Sequence, residues 1–512
     1  MNESKVIESI EYVRKYKTET DRIEVKAAHE GFPKKCYDTI SSFSNKYGGL
    51  IIFGINEEKN FSIEGVYDVK DLQKQISSLC TDSMEPSIRP EIIPLEYEGK
   101  NIIAVYINEI SQNRKPCYYK PKGIKSGSYT RVGDRDDNMT DYELYTLQSY
   151  KEHVFEDTRP TKRSTIEDLN FKQLKMYIDK VKEEKPNFSK NSIDKCMRLC
   201  GITDRNNQNV YPTLAGTMIF GDYPQSFYPQ LFVACVVVPG NKLGDIGKMG
   251  ERFIDNKRIE GTIEDMLSDT ISFLRRNMKT RVIIDLNGKR INQSEYPIEA
   301  LREAVANAII HRDYSVQTEN AYISVNMYND RIEIISPGAL YGSNKLDKLG
   351  TDTTMESRNP TIVRILEEKG SVIENRHSGI PTIVREMKEY GLPKPEFIEE
   401  RNSFKVVLRN NYFEFDSQES GQESGQESGQ ESGQQKTIDG YKLKVLKYCK
   451  IARTAKEIRE YLNIKSRQYV STYLINPLIL SGNLDYTNKK SINARNQKYI
   501  TTVKIEGELL DD

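Results

Sequence analysis

Hydrophobic and polar positions along the first 150 residues follow two periods, which predict both helices and strands. Cys36, Ile40 and Phe43 recur at helical spacing and form one apolar face of a predicted helix. The run LIIFGI at 50–55 is apolar throughout, which is typical of a strand buried on both faces. Two further apolar runs, EIIPLEY and NIIAVYI, flank Glu98-Gly99 and predict a hairpin. The first part of the chain is therefore predicted to be a mixed α/β module.

The segment YPIEALREAVANAIIHRDYS carries a clear helical pattern. Leu301, Val305 and Ile309 form one apolar stripe at i, i+4 spacing. Glu303 and Asn307 share a second face, which is turned by about 200° from that stripe. A carboxylate and an amide on one face can hold Mg²⁺, although the same pair also occurs as an ordinary surface hydrogen bond.

A second α/β region is predicted from Tyr296 to about Asn410, and the composition changes abruptly after it. Four QESG units between Gln418 and Gln434 contain no apolar residue, so this tract cannot offset the entropy lost on folding. We expect it to be a flexible linker. Residues 438–505 then follow the pattern of three helices and a strand–turn–strand segment, which predicts a winged helix-turn-helix head.

Bulk composition narrows the function classes only in part. Lys+Arg and Asp+Glu each number 75, so the net charge is zero and any basic binding surface must be local. Seven scattered cysteines without a CxxC pair favour free buried thiols over a zinc site or disulfides. We find neither an apolar run of membrane-spanning length nor the apolar region of a signal peptide. We therefore expect a cytoplasmic protein with no membrane partner.

Three ordered motifs in the first 135 residues resemble the AlbA-type domain of Schlafen proteins. They are Glu19 with Glu24-Val25-Lys26, then SFSNKYGGLIIFGINE at 42–57, and finally GSYTRVG at 127–133. In Schlafen nucleases, two glutamates of the first motif and an acid after the double glycine form the active centre. The resemblance therefore implies a nuclease site built from Glu19, Glu24 and Glu57, with Mg²⁺ or Mn²⁺ as the cofactor. Asn56 stands where the family commonly has Asp, so the third acid is Glu57 or its neighbour Glu58.

Basic residues are interleaved with tyrosines around the third motif. Such a combination suits phosphate contact and base stacking, and it also occurs in loops that are merely solvated. We predict that RNA or DNA binds this module through Lys120, Lys122, Lys125, Tyr129, Arg131 and Arg135.

The segments LREAVANAIIHRDY, RIEIISPGAL and RHSGIPTIVREMKEYGLPKPEF, in that order, resemble the RecG-C-like domain, a divergent relative of the GHKL ATPase fold. In GHKL enzymes the glutamate of the first motif acts on water and the asparagine binds Mg²⁺; they correspond here to Glu303 and Asn307. The later glycine motifs correspond to Gly338 and Gly379. The resemblance implies an ATP site, while His311 is expected to be structural. No GxxxxGK[ST] loop is present, so we do not expect a helicase.

In the head, the third helix of a winged helix-turn-helix would meet base edges and the wing would meet phosphates. A winged helix that contacts protein is the alternative. The predicted DNA contacts are Arg467, Gln468, Tyr469, Lys489 and Lys490.

The sequence thus predicts an α/β multidomain chain that works as a homo-oligomer. We predict a nucleic-acid-binding, nucleotide-responsive regulator of the DNA-binding transcriptional type. The alternatives are a metal-dependent endonuclease acting on RNA or DNA and a GHKL-like ATPase switch. The predicted domains are a Schlafen AlbA-type module at 1–155, a connecting α/β region at 165–295, a GHKL-like α/β sandwich at 296–412, the linker at 417–437 and the winged head at 438–505.

Overall fold

The structure, a computed structural model, is a mixed α/β multidomain chain, as the sequence predicts. It divides into two compact units, Met1–Ser420 and Gly421–Asp512. The QESG tract and the rest of the predicted linker lie outside the described residues. The structure describes residues 1–206, 209–247, 249–284, 290–351, 355–370, 379–410, 444–462, 470–475, 478–479, 483–487 and 497–502.

The N-terminal module is built around a four-stranded sheet of order β1-β2-β7-β6, in which β1 and β2 are parallel. One face of this sheet packs against α1 and the other against α2 and α3, which gives two separate apolar cores. The elements are α1 (Glu3–Tyr16), β1 (Ile23–Lys26), α2 (Cys36–Asn45), β2 (Gly49–Phe53), β3 (Ile55–Asn56), β4 (Ser62–Ile63), α3 (Val69–Ser78), β5 (Met84–Glu85), β6 (Glu91–Tyr97), β7 (Lys100–Ile107), β8 (Tyr118–Tyr119), α4 (Gly123–Gly127), β9 (Tyr129–Val132), β10 (Arg135–Asn138) and α5 (Asp141–Lys151).

The double glycine between α2 and β2 is required by close packing. Gly48 has a φ of +69°, and a Cβ on it would lie 2.8 Å from the carbonyl oxygen of Ile107. A Cβ on Gly49 would lie 2.5 Å from the ring of Phe43. Because a larger residue at either position would clash with these groups, only glycine lets the chain pass from α2 into the central strand β2.

The remainder of the first unit is organised by a six-stranded sheet of order β14-β13-β17-β18-β20-β19. The elements are α6 (Phe171–Glu184), α7 (Pro186–Ser189), α8 (Ile193–Leu199), β11 (Thr203–Asn206), β12 (Asn209–Pro212), α9 (Leu214–Phe220), β13 (Val233–Val237), β14 (Asp255–Ile259), α10 (Ile263–Asn277), β15 (Thr280–Ile284), β16 (Arg290–Ser294), α11 (Ile298–Ile310), β17 (Ile323–Met327), β18 (Arg331–Pro337), α12 (Pro360–Lys369), α13 (Gly379–Glu389), β19 (Glu396–Glu400) and β20 (Ser403–Arg409).

This sheet joins the predicted connecting region to the predicted GHKL-like domain. Strand β13 pairs in parallel with β17, over the register Val233↔Ile323 to Val237↔Met327. A single apolar core extends from Leu169 to Leu408. The predicted boundary at residue 296 therefore runs through one sheet and one core, and the two regions fold on each other.

Helix α11 occupies the middle of that core. Leu301, Val305 and Ile309 are each fully buried, as the apolar stripe predicts. Glu303 and Asn307 are half-buried on the opposite face. The sequence pattern therefore predicts the orientation of this helix correctly. The two polar side chains point away from the packed apolar stripe.

The second unit has its own small core, formed by Val445, Ile458, Leu474, Leu484 and their neighbours. Helix α14 (Ala455–Tyr461) begins with a capping box in which the hydroxyl of Thr454 and the carboxylate of Glu457 bond reciprocally to backbone N–H groups. The strands β21 (Arg453–Thr454), β22 (Leu484–Tyr486) and β23 (Lys498–Thr501) form a sheet of order β21-β23-β22. The start of the third predicted helix, at 466–469, and the wing tip, at 488–496, lie outside the described residues, so the winged helix stays a prediction.

Two general expectations concern the cysteines and the membrane. All seven cysteines are buried free thiols. Among the described residues, no helix has the length and apolar character needed to cross a membrane.

Candidate functional site

A cavity of about 580 Å³ opens beside α11 in the first unit. Its volume lies within the range of roughly 300–1,000 Å³ that is usual for small-molecule sites. Glu303, Asn307, Gly338 and Gly379 all line it, and they are the four residues that the sequence assigns to nucleotide. The fold therefore gathers these four residues from helix α11, the end of β18 and the start of α13 around one concave site.

Helix α11 places Glu303 and Asn307 against the first residue of α13. A Cβ on Gly379 would lie 2.9 Å from Asn307 Nδ2 and 3.0 Å from Glu303 Oε2. A larger residue at this position would push against both polar groups. The first N–H groups of a helix have no partner within the helix, so the start of α13 brings donors to the cavity wall.

Gly338 lies where β18 ends, and its role is to permit a close approach. Its φ is +104°, and a Cβ there would lie 2.6 Å from Cβ of Asp313. The backbone N–H of Asp313 donates to the carbonyl of Pro337 at 2.8 Å. Ser336 is bonded in the same way, since its hydroxyl donates to the carbonyl of Ala308 at 2.8 Å. The exit of β18 is thus fastened directly to the end of α11.

The HRDY segment after α11 has one side chain at the cavity and others in internal roles. His311 lines the cavity with its side chain exposed; desolvation by the surrounding protein, assisted by the nearby Arg358, lowers its pKa to about 4. The imidazole is therefore neutral at pH 7. The guanidinium of Arg312 is buried and donates to the carbonyls of Asp313, Thr318 and Ala321. His311 can thus contact a ligand, while Arg312 holds the following loop.

Arg358 is a cavity-lining cation that the sequence patterns did not single out. Its Nη1 pairs with Asp313 Oδ2 at 2.9 Å, and its Nη2 donates to the carbonyl of Ala339 at 2.7 Å. The ring of Tyr341 lies 5.2 Å from the guanidinium carbon. The buried Nε of Arg358 has no hydrogen-bond acceptor in the part of the chain that the structure describes. No local sequence motif predicts the position of Arg358, because the residues that it contacts are distant from it in the sequence.

The cavity wall is also fastened to the N-terminal module. Glu356 Oε1 accepts hydrogen bonds from the hydroxyl of Ser343 at 2.8 Å and from the hydroxyl of Tyr150, on α5, at 3.1 Å. Lys345 pairs with Glu109 of the N-terminal module at 2.5 Å. The loop from 339 to 358 therefore contacts both the cavity and the preceding module.

The second candidate site contains the acidic residues of the first motif. Glu19 Oε1 accepts a hydrogen bond from the backbone N–H of Val25 at 2.7 Å. Burial and the neighbouring Glu24 raise the pKa of Glu19 to about 8, with a smaller contribution from Glu57. Glu24 is buried and pairs with Lys26 and with Arg131, the latter at 2.8 Å. The structure therefore brings Glu19 and Glu24 together.

Glu57 is exposed in the turn after β3 and influences Glu19 only through its charge. Among the described residues, no group of three Asp, Glu, His or Cys side chains is placed to hold a metal ion. The metal site of Glu19, Glu24 and Glu57 therefore stays a prediction.

Arg131 was predicted to contact nucleic acid, and the structure gives it an internal position. Only 2% of the residue is exposed, and its guanidinium pairs with Glu24 and with Asp136 at 2.9 Å. Asp136 is held in turn by the hydroxyls of Thr39 and Ser42. Arg131 therefore neutralises Glu24 and does not present a free charge to phosphate.

The other predicted contacts of this module are placed differently. Lys122 is exposed, donates to the hydroxyl of Tyr129 at 2.9 Å and lies 4.9 Å from the ring centre of Tyr37. Tyr37 and Tyr119 are stacked with ring centres 4.2 Å apart. Each of the remaining exposed cations has an acidic neighbour; the pairs are Lys120–Glu85, Lys125–Asp141 and Arg135–Asp137. In the head, the predicted contacts Arg467, Gln468, Tyr469, Lys489 and Lys490 lie outside the described residues.

Comparison with known proteins identifies two family matches within the first unit. Residues 19–140 match the family model described as "Schlafen, AlbA_2". Residues 320–408 match the model described as "Putative ATP-dependent DNA helicase recG C-terminal". No curated protein matches the chain.

The matching solved structures include two proteins of low similarity. One is the crystal structure of the DIP2311 protein from Corynebacterium diphtheriae, with 16% identity, coverage of 98% of this chain and 97% of that chain, and a TM-score of 0.37. The other is the solution structure of the N-terminal domain of a protein from Nitrosomonas europaea, described as a "Putative ATP-dependent DNA Helicase RecG-related Protein". It has 26% identity, covers 26% of this chain and 92% of that chain, and has a TM-score of 0.22.

Proposed function

We propose that this chain, which joins a Schlafen AlbA-type domain to a divergent ATPase-like domain, binds a nucleoside triphosphate and uses it to regulate its contact with nucleic acid. The observation that carries the proposal is the cavity. Four residues chosen from a sequence resemblance, two on one helix and two in separate glycine motifs, line the same concave space. A set of unrelated surface residues would not converge in this way.

The lining offers complementary groups for such a ligand. The carboxylate of Glu303 and the amide oxygen of Asn307 are the oxygen ligands that Mg²⁺ prefers. The start of α13 supplies backbone donors that suit phosphate, and Arg358, whose charge is paired with Asp313, lines the same wall. Neutral His311 and the apolar lining, including Leu349 and Ile380, suit a base. Mg²⁺ would supply charge neutralisation for the phosphates.

The test compares two carboxylates on the same helix. Glu303→Gln removes a cavity charge, while Glu299→Gln removes an exposed charge from the first turn of α11. We expect Mg-ATP at about 100 times its Kd to stabilise the wild type and the Glu299→Gln chain by about 2.7 kcal/mol. Glu303→Gln and Asn307→Ala should reduce that stabilisation. If ATP leaves the melting of the wild-type chain unchanged, the proposal is wrong. Phosphate release on the same samples decides whether the site also hydrolyses ATP.

The nucleic-acid contact is proposed for the head and for the N-terminal module. The capped helix α14, the three-stranded sheet and the separate core support a small independently folded head. We expect the full chain to shift a DNA duplex and the chain lacking 438–512 to lose most of that shift. ATP binding should survive the deletion, because the cavity belongs to the first unit. DNA binding that is retained after the deletion would indicate that the N-terminal module, and not the head, makes the contact.

A metal-dependent nuclease is the second candidate, and one observation favours it. Glu19 lies beside Glu24 with a pKa of about 8, which is the situation that a bound cation would relieve by favouring both carboxylates. The test is cleavage of RNA and single-stranded DNA with Mn²⁺. We expect Glu19→Gln and Glu24→Gln to abolish any cleavage and Glu11→Gln, an exposed residue of α1, to preserve it. Cleavage that survives Glu24→Gln would exclude this site.

A further inference from the structure

We propose that the β13–β14 loop, described at residues 238–247 and 249–254, is an apolar wedge that enters duplex nucleic acid and unstacks a base step. Five large apolar side chains are exposed within twelve residues of this loop. Their exposed fractions are 67% for Leu243, 68% for Ile246, 94% for Met249, 40% for Phe253 and 59% for Ile254. Side chains of this kind are rarely presented together to water unless they contact a partner.

The loop is held in shape by two carboxylates that fold back onto its own backbone. Asp245 Oδ2 accepts hydrogen bonds from the N–H groups of Asn241 and Lys242 at 2.8 and 2.9 Å. Glu251 Oε2 accepts from the N–H of Met249 at 2.9 Å. These three backbone N–H groups are thus satisfied inside the loop, while the five apolar side chains are exposed.

Two glycines make these carboxylate contacts possible. A Cβ on Gly240 would lie 2.1 Å from Asp245 Oδ2, and a Cβ on Gly247 would lie 2.0 Å from Glu251 Oε1. Any other residue would displace the carboxylate that fastens the turn. The glycine pattern therefore supports a preorganised shape, which lowers the entropy lost when the loop binds.

The base of the loop is anchored to the sheet. The backbone N–H of Ile254 donates to the carbonyl of Val237 at 2.8 Å. The amide of Asn329 donates to the carbonyl of Pro239 at 3.2 Å, and Arg331 donates to the carbonyl of Asn241 at 3.1 Å. These hydrogen bonds therefore fix the base of the loop to the six-stranded sheet.

The free charges of the loop indicate an anionic partner. Both acidic residues, Asp245 and Glu251, bond to the loop backbone and are half-buried. Lys242 and Arg252 are exposed, and within the described ranges neither has a carboxylate partner. The surface that meets a partner is therefore apolar at the tip and positive beside it.

Duplex nucleic acid fits this combination better than a lipid surface does. Leu, Ile and Met side chains are typical wedges that enter the minor groove and open a base step, with nearby cations on the phosphates. One or two side chains are enough for this. Binding to a lipid interface relies on a long amphipathic face, which a loop with two fastened turns does not provide. The Schlafen AlbA-type and RecG-related domains of the same chain also indicate nucleic acid.

The test uses the full chain and a DNA duplex that carries 2-aminopurine, whose fluorescence rises when its base step unstacks. We expect the wild-type chain to raise the fluorescence. The triple variant Leu243→Ser, Ile246→Ser, Met249→Ser should lose that rise and weaken duplex binding by about tenfold. The matched control is Met176→Ser, because Met176 is 65% exposed on α6, away from the loop. It should behave as the wild type.

A second variant separates charge from insertion. Lys242→Ala with Arg252→Ala should keep part of the fluorescence rise and reduce the slope of log K against log salt by about 1.8, which is about 0.9 per lost cation. ATP binding, measured on each variant, should be unchanged, so failure of the wedge and failure of the nucleotide site are distinguishable.

Three outcomes would overturn the proposal. The first is an unchanged fluorescence rise in the triple variant. The second is binding of the wild type to phosphatidylserine–phosphatidylcholine vesicles, lost in the triple variant, without any effect on duplex. The third is a wild-type dimer that the triple variant dissociates, again without an effect on duplex, which would assign the loop to a second copy of this chain.

Discussion

The hydroxyl of Tyr142 donates a 2.7 Å hydrogen bond to Asp313 Oδ2, the same oxygen that pairs with Arg358 at 2.9 Å. Tyr142 belongs to α5, which follows the Schlafen AlbA-type module, while Arg358 lines the cavity. We expect a change in the position of Arg358 to reach α5 through this shared carboxylate. It would be a path by which the proposed nucleotide influences the N-terminal module.

Tyr142→Phe tests that path. We expect the loss of a buried hydrogen bond to a charged acceptor to lower the free energy of unfolding by about 1–3 kcal/mol, measured by urea denaturation. ATP binding should weaken as well, measured by calorimetry, because Asp313 positions Arg358. The control is Tyr145→Phe on the same helix, whose hydroxyl bonds to Glu156 away from the cavity. It should lower stability without changing ATP affinity; equal effects of both variants on ATP would contradict the path.

Glu19 should make the stability of the protein fall as pH rises. Burial and Glu24 raise its pKa from an ordinary value of 4.5 to about 8, so the folded chain retains a proton that the unfolded chain loses between these values. The stabilisation is complete below about pH 4.5 and is lost as pH approaches 8. In Glu19→Gln, the melting temperature should depend less on pH in this window. Glu58→Gln should follow the wild-type profile, and a wild-type profile in Glu19→Gln would contradict the shift.

Asp157 should add a separate dependence at lower pH. It is fully buried, its Oδ2 accepts from the N–H groups of Thr361 and Ile362 at the start of α12, and burial raises its pKa from 3.8 to about 6. Stability attributable to this proton is present below about pH 3.8 and declines up to about pH 6. Asp157→Asn keeps an acceptor for both N–H groups and should remove the decline. The measurement is the denaturation midpoint at several pH values from 4 to 6.5.

Two glycines at the cavity should respond differently to alanine. Gly338→Ala places a Cβ 2.6 Å from Asp313 at a φ of +104°, so we expect destabilisation of about 1–3 kcal/mol from backbone strain, with further loss from the clash. Gly379→Ala meets the movable ends of Glu303 and Asn307, so the fold should tolerate it. Its effect should appear as weaker ATP binding. Unaltered ATP binding in Gly379→Ala would remove this residue from the site.

The sequence predicted those parts of the fold and the site that depend on local periodicity. The stripe of Leu301, Val305 and Ile309 fixed the buried face of α11 and, with it, the direction of Glu303 and Asn307. It could not predict the pairing of Arg358 with Asp313, because no spacing rule links residues that meet only after the chain has folded.

The same limit explains the misplacement of Arg131. A basic residue among tyrosines suggests a binding surface, but Arg131 is buried against Glu24, which is distant in sequence, and against Asp136, which lies opposite it in the β9–β10 hairpin. The predicted boundary between a connecting region and a GHKL-like domain meets the same limit. Pairing between β13 and β17 is a long-range parallel contact, and neither strand carries a sign of its partner.

That parallel pairing has a consequence for how the chain is made. Strand β13 is complete at Val237, but its partner β17 ends only at Met327, and β20 ends at Arg409. A ribosome adds roughly 5–20 residues per second, so the apolar faces of β13 and α9 wait several seconds for their neighbours. During that time the nascent chain exposes apolar side chains that are buried in the shared core of the folded protein. The yield of folded protein should therefore depend on how quickly, and under what chaperone protection, synthesis passes the end of β20.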